Sequence, residues 1–290
     1  MKKYKLLVLT VVMILVTACG KETEGSKMES NAKVEQQTTE VPASSQEVDI
    51  QEKQPENTPE PIPEPTPEPT PEPAAPLFVD FSEGCPQGYE IANGWTNGSM
   101  FNVTWRKSNA TFENGCMQLI IDKDATPSGN IPYSGGEFRT LKFYGYGRYE
   151  VSMKAIKNDG VVSSFFTYTG PSDNNPWDEI DIEILGKDTT KVQFNYFTNG
   201  RGNNEYLHEL GFDASEDFHT YAFEWYEDKI VWFVDGVEVH SADKRIPVTR
   251  GKIMMNAWCG TGVDGWLNAF DDSNLPVLAE YQWIKYTPFE

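Results

Sequence analysis

Lys229-Ile-Val-Trp-Phe-Val234, Asp235-Gly236 and Val237-Glu-Val-His240 run consecutively, and this stretch decides the fold. Two runs rich in β-branched and aromatic residues are separated by a two-residue Asp-Gly step, the strongest short-range hairpin signal a sequence carries. The same texture spreads outward from it. Gly147-Arg-Tyr-Glu-Val-Ser-Met153, Lys191-Val-Gln-Phe-Asn-Tyr-Phe197 and Thr220-Tyr-Ala-Phe-Glu-Trp225 each alternate large apolar residues with polar ones. Gly, Asn and Asp punctuate the gaps. Alternation with period two at this spacing, and no twelve-residue segment with a clean 3.6-residue period, predicts an all-β antiparallel sandwich of two stacked sheets.

That texture begins at Leu77 and ends with the chain at Glu290, so a folded domain is expected over residues 77–290. The first 76 residues read differently. Lys2, Lys3 and Lys5 precede an apolar run from Leu6 to Val16. A helix of that length spans about 16 Å, half of a hydrocarbon core, so residues 1–19 read as an export signal rather than a membrane span. The run closes on Thr17-Ala18-Cys19, which resembles a bacterial lipobox and makes Cys19 the expected lipidation site. Membrane attachment is then expected only through an N-terminal lipid, with the mature chain outside the cell. Residues 20–76 contain no aromatic residue, and ten of the 22 residues from Pro55 to Pro76 are proline. Such a segment buries too little apolar surface to offset its ordering entropy. It reads as an acidic, Pro/Glu/Thr-rich linker whose proline part reaches about 70 Å.

Composition narrows the function. A formal net charge of -20 repels phosphate backbones, which disfavours nucleic-acid binding. The three histidines, His208, His219 and His240, lack metalloprotease spacing, and the four cysteines lack zinc spacing. No metal-ligating set is assigned. The informative segment is Trp177-Asp-Glu-Ile-Asp-Ile-Glu-Ile-Leu-Gly186. On a strand, Glu179, Asp181 and Glu183 share one face while Ile180, Ile182 and Ile184 share the other. Neighbouring acids about 7 Å apart repel by roughly 2.4 kcal/mol at an effective dielectric near 20, close to two pKa units. One carboxyl is therefore expected to keep its proton near neutral pH while a partner stays ionised, the pair that glycoside hydrolysis requires. A solvated edge strand or a calcium site would draw on the same residues. Glu179 and Glu183 are about 13 Å apart at Cα on a straight strand, so their side chains must lean together over Asp181.

At these residues the sequence resembles family 16 of the glycoside hydrolases, most closely the bacterial licheninases (endo-β-1,3-1,4-glucanases). The resemblance runs through Gly94-Trp-Thr-Asn-Gly-Ser-Met-Phe101, Glu137-Phe-Arg139, Tyr144-Gly-Tyr-Gly147 and Val162 to Pro171. It continues through Trp177 to Gly186, Lys191 to Gly200 and Ile253 to Trp266. It implies a concanavalin-like jelly-roll sandwich with a cleft across its concave sheet, acting on mixed-linkage β-glucan without a required cofactor, as a monomer. By the resemblance Glu179 is the nucleophile, Glu183 the general acid/base, and Asp181 the residue that assists the nucleophile. Trp95, Phe101, Phe166, Trp177, Trp258 and Trp266 would be platforms for sugar rings. Asn97, Arg139, Asn195 and Asn256 would bond sugar hydroxyls. A single residue, Ile182, separates Asp181 from Glu183, as in licheninases; laminarinase-like members carry one more there. A β-1,3-glucanase, a transglycosylase or a non-catalytic glucan-binding module are the alternatives. Trp105, Trp225, Trp232 and Trp283 are expected in the core, and Cys259 is expected to point away from Asn256 and Trp258.

Three departures from the licheninase pattern carry consequences. Its common disulfide positions are Val103 and Gly135 here, so that bridge is missing. Cys85, Cys116 and Cys259, an odd number, allow at most one bridge among themselves. An aspartate that helps hold a structural calcium on the convex side is Gln282 here, which weakens any such site. A cleft tyrosine is Phe197, with the loss of one hydroxyl.

Overall fold

The computed structural model describes residues 74–289; the expected export signal, Cys19 and the linker before Ala74 lie outside the described residues. Among the described residues sixteen strands follow in chain order. They are β1 (Leu77–Asp80), β2 (Tyr89–Ile91), β3 (Val103–Trp105), β4 (Ala110–Glu113), β5 (Cys116–Ser128), β6 (Ile131–Thr140), β7 (Gly147–Lys154) and β8 (Val161–Thr169). They continue as β9 (Asp178–Leu185), β10 (Lys191–Phe197), β11 (Tyr206–Glu209), β12 (His219–Trp225), β13 (Ile230–Val234), β14 (Val237–Ala242), β15 (Lys252–Cys259) and β16 (Val277–Pro288). Helix α1 (Asp264–Leu267) is a single turn.

The Asp235-Gly236 step joins β13 to β14 with both residues at positive φ, 48° and 79°, as a two-residue turn matched to the strand twist requires. Pairing runs β11-β10-β9-β8-β15-β6 along one sheet and β5-β16-β7-β12-β13-β14 along the other, with the long β5–β6 hairpin passing between them. Except for β3 on β6, which is parallel, the pairings are antiparallel. The architecture is the expected all-β jelly-roll sandwich.

Period two sorts the side chains. Ile180, Ile182 and Ile184 of β9 are fully buried, as are Val192 and Phe194 of β10 and Ile253, Met255 and Ala257 of β15. They meet Tyr149, Tyr221, Phe223, Trp232 and Tyr281 of the other sheet. Trp105, Trp225 and Trp232 are buried as expected. Trp283 is not: it lies on the outward face of β16, half-buried beside the exposed Phe78 ring. A register shift between Tyr281 and Trp283 displaces the alternation by one residue, which period-two counting cannot anticipate. Gln282 sits at this shift and accepts a hydrogen bond from Ser152 (2.8 Å). Among the described residues no group of three or more His, Cys, Asp or Glu side chains is arranged to hold a metal ion.

Cys85, Cys116 and Cys259 are unbridged, the first exposed and the other two buried. The space of a bridge between positions 103 and 135 is filled: a Cβ on Gly135 would stand 3.0 Å from both the Val103 methyl and the Trp105 ring.

Candidate active site

Strand register converts the alternation into rows across the outer face of the first sheet. Pairing places Gln193, Glu183, Ser164, Asn256 and Glu137 side by side on β10, β9, β8, β15 and β6. The next row is Asn195, Asp181, Phe166, Met254 and Arg139, and a third holds Phe197, Glu179, Tyr168 and Lys252. All but Lys252 line a cleft of about 970 Å³. The walls come from elsewhere in the chain: Trp95, Asn97 and Phe101 from the segment before β3, Trp177 from the loop before β9, Trp258 from the end of β15 and Trp266 from α1. The cleft thus gathers all thirteen residues singled out as catalytic or sugar-contacting. Cys259 is buried on the opposite face and lines no part of it.

The three acids of β9 differ in their surroundings. Asp181 is buried, whereas Glu179 and Glu183 are half-buried and open to the cleft. Glu179 accepts a hydrogen bond from the Trp177 indole N–H (2.5 Å) and is also hydrogen-bonded to Asp181. Glu183 accepts from the Gln193 amide (2.7 Å), and that amide's oxygen accepts from the Trp266 indole N–H (3.1 Å). Burial pushes both glutamates up to about 7, and the hydrogen bonds to Trp177 and Gln193 oppose the rise. Asp181 is raised well above the usual carboxylate range, first by burial and then by the charges of Glu179 and Glu183. From the bare strand, like-charge repulsion is the expected main cause. Desolvation is the larger one, because the cleft walls remove water that the bare strand would have kept.

Trp177 stacks on Phe197 (centroids 4.7 Å apart, 14° between planes) and is 38% exposed, leaving a free ring surface in the cleft. Phe101 packs on Trp258 (4.1 Å), which neighbours Trp266 (6.0 Å). Trp95 is 38% exposed beneath the Arg139 guanidinium, 5.1 Å from its ring centroid.

Sequence reasoning missed Glu137, the hub of the far wall. It is fully buried, pairs with Arg139 (2.5 Å) and accepts from Asn97 (3.1 Å) and Asn256 (3.3 Å). Burial lifts its pKa, while the Arg139 charge and the two amides oppose the lift. Asn97 and Asn256 are themselves held, by the Trp105 indole (2.9 Å) and the Ser164 hydroxyl (2.6 Å). The buried Arg139 Nε has no hydrogen-bond partner among the described residues. Gln193 and Glu205 were also missed. Glu205 lies on the cleft rim, 3.5 Å from the Asn195 amide. The signal was available: Glu137 shares a strand face with Arg139, and Gln193 with Asn195, by the same period of two. A fourth acid of the motif, Asp178, lies at the head of β9 outside the cleft. It accepts from the backbone N–H groups of Asn199, Val248 and Thr249 at 2.9, 3.0 and 3.0 Å, which ties two loops to the strand.

An apolar-walled cleft floored by carboxyls of raised pKa, with rings for sugar faces and amides for hydroxyls, is the site of a glycoside hydrolase. The chain belongs to the glycosyl hydrolases family 16, whose family model matches residues 97–285. It is 59% identical over 213 residues to a β-glucanase of Acetivibrio thermocellus, covering 73% of this chain and 63% of that one. It is 58% identical over 217 residues to a xylanase/β-glucanase of Ruminococcus flavefaciens, covering 73% of this chain and 27% of that one. The chain thus spans less than two thirds of the length of these two relatives. Among solved structures it is similar to a prokaryotic β-1,3-1,4-glucanase (lichenase) from a mouse hindgut metagenome, with 53% identity and a TM-score of 0.72. That match covers 74% of this chain and all of the other.

Proposed function

We propose that this chain is an endo-β-1,3-1,4-glucanase that hydrolyses mixed-linkage β-glucan by a retaining double displacement. One observation carries the mechanism: Glu179 and Glu183 face one cleft from one strand but are hydrogen-bonded unequally. Two groups, Trp177 and Asp181, hold Glu179, which favours its ionised form and the part of nucleophile. Glu183 has only the Gln193 amide and feels the charges of Glu179 and Glu205, which favours the protonated form and the part of general acid.

Glu183 gives its proton to the glycosidic oxygen as the bond from that oxygen to the anomeric carbon breaks. Glu179 forms a bond to the same carbon from the opposite face, giving a glycosyl ester. Glu183, now ionised, takes a proton from water, whose oxygen displaces Glu179 from the second face. Configuration is retained and Glu183 ends protonated. Asp181 keeps its own proton and shares it with Glu179, so the charge on the leaving carboxylate is stabilised when the ester breaks. Trp95, Phe101, Phe166, Trp177, Trp258 and Trp266 receive glucose faces. Asn97, Asn195, Asn256 and Arg139, whose Nε makes no hydrogen bond and only a 3.8 Å ion pair to Glu90, bond hydroxyls. No step needs a cofactor. Gln282 supplies a neutral amide where a calcium ligand would be charged, so a calcium there is at most weakly held.

In this reading the domain from Leu77 onward works as a monomer outside the cell, tethered through a lipid on Cys19 by the proline-rich segment, where it meets a bulky polymer. Reducing-end release from barley β-glucan and lichenan, compared with laminarin and xyloglucan, tests the activity. Release from laminarin or xyloglucan in preference, or binding with no release from any of them, refutes it. Labelling with radioactive palmitate, lost on Cys19→Ser, tests the tether.

A further inference from the structure

The strand path has two free ends, β11 and β14, and a ring contact between Tyr206 of the first and His240 of the second joins them. The Tyr206 ring lies flat on His240, with centroids 3.8 Å apart and 5° between planes. Beneath them His240 faces Trp232 (5.4 Å), whose indole N–H donates to the backbone carbonyl of Asp181 (3.3 Å). Tyr206 is 39% exposed although one ring face is covered, so its other face looks outward.

Around this ring is a depression of about 280 Å³, separate from the cleft but sharing Glu205 with it as a common rim. Ser241, Asp243 and Lys244 line it, and their side chains have no hydrogen-bond or ion-pair partner among the described residues. An exposed aromatic face ringed by uncommitted donors and acceptors is the chemistry that recognises a pyranose: C–H groups on the ring, hydroxyls on the rim.

We propose that this depression is an accessory site for the β-glucan polymer, holding a glucosyl unit of a chain that also crosses the cleft past Glu205. The site deepens the proposed function and rests on it. It adds affinity for long chains by making the second contact intramolecular, and it leaves the handling of short ones unchanged.

The test compares the polymer with a β-glucan tetrasaccharide, in wild-type protein and in Tyr206→Ala, Tyr206→Phe and Lys244→Ala variants. Tyr206→Ala should raise KM on barley β-glucan about five- to tenfold, the loss that ~1–1.4 kcal/mol of ring stacking gives. Its kcat/KM on the tetrasaccharide should stay within about twofold. Tyr206→Phe should keep the wild-type KM, and Lys244→Ala should raise it by a smaller factor with Tm unchanged. In affinity electrophoresis through β-glucan, Glu179→Gln protein should be retarded more than Glu179→Gln/Tyr206→Ala protein. Unchanged polymer KM in both alanine variants overturns the site. So does a parallel fall on polymer and tetrasaccharide, since the stack would then only close the sandwich. Wild-type protein that neither cleaves nor binds β-glucan overturns the underlying functional reading instead.

Discussion

Replacing Gln193 by Leu tests the division of labour between the two glutamates most directly. The Gln193 amide donates to Glu183 at 2.7 Å and is itself fixed by Trp266, so it favours the ionised carboxylate. A hydrogen bond to a charged group contributes about 1.5–3 kcal/mol, and a pKa unit corresponds to 1.36 kcal/mol. Removing the donor should therefore raise the Glu183 pKa by about one to two units. A general acid must be protonated, so activity is lost as pH rises through its pKa. The basic limb of kcat/KM should then move upward by that amount. The acid limb, set by the need for ionised Glu179, should move by less than about 0.3 units, because Trp177 and Asp181 are untouched. The two limbs are macroscopic properties of the coupled carboxyls, so wild type and variant are compared under identical conditions. The assay is initial rates on a soluble mixed-linkage oligosaccharide from pH 4 to 10. A basic limb that stays put, or an acid limb that moves in its place, refutes the assignment of Glu183 as the acid.

Trp177→Phe removes the donor to Glu179 and should shift the acid limb upward by about one unit, narrowing the same profile from the other side. Glu179→Ala should abolish turnover, with azide restoring it to give a product of inverted configuration; Glu183→Ala with azide should give retained configuration, and NMR of the two glycosyl azides distinguishes them. Asp178→Ala leaves three backbone N–H groups without their acceptor and should cost about 3–5 kcal/mol; at roughly 2–4 °C per kcal/mol, calorimetry should find Tm lower by about 6–20 °C. Burial raises Glu179 and Glu183 from 4.5 to about 7, so over that window the folded chain holds protons that the unfolded chain releases. Their contribution to stability falls as pH rises. The double variant Glu179→Gln/Glu183→Gln should therefore gain Tm over wild type as pH goes from 5 to 7.5, and a constant difference would contradict the shifts.

Much of the site was legible because one rule, period two, governs both the fold and the display of side chains. The Ile180–Ile182–Ile184 row fixed which face of β9 is buried, and that fixed which face carries Glu179, Asp181 and Glu183. The same rule placed Asn195 and Phe197 beside each other on β10 and Asn256 beside Trp258 on β15. It failed where the chain departs from the rule. Trp283 follows a register shift in β16 and faces outward. Glu137, quoted in a resembling block, was given no role, because its partners Asn97 and Asn256 lie 40 and 119 residues away in sequence.

Local sequence determined the strand periods, the Asp235-Gly236 turn and the face each acid occupies, since these depend on neighbours one to four residues apart. The ionisation of those acids was decided elsewhere. Register brought Gln193 to Glu183, the loop before β9 brought Trp177 to Glu179, and the walls from Trp95 to Trp266 removed the water that would have left ordinary carboxylates. Desolvation is a property of everything packed around a group, and a strand read alone does not contain it.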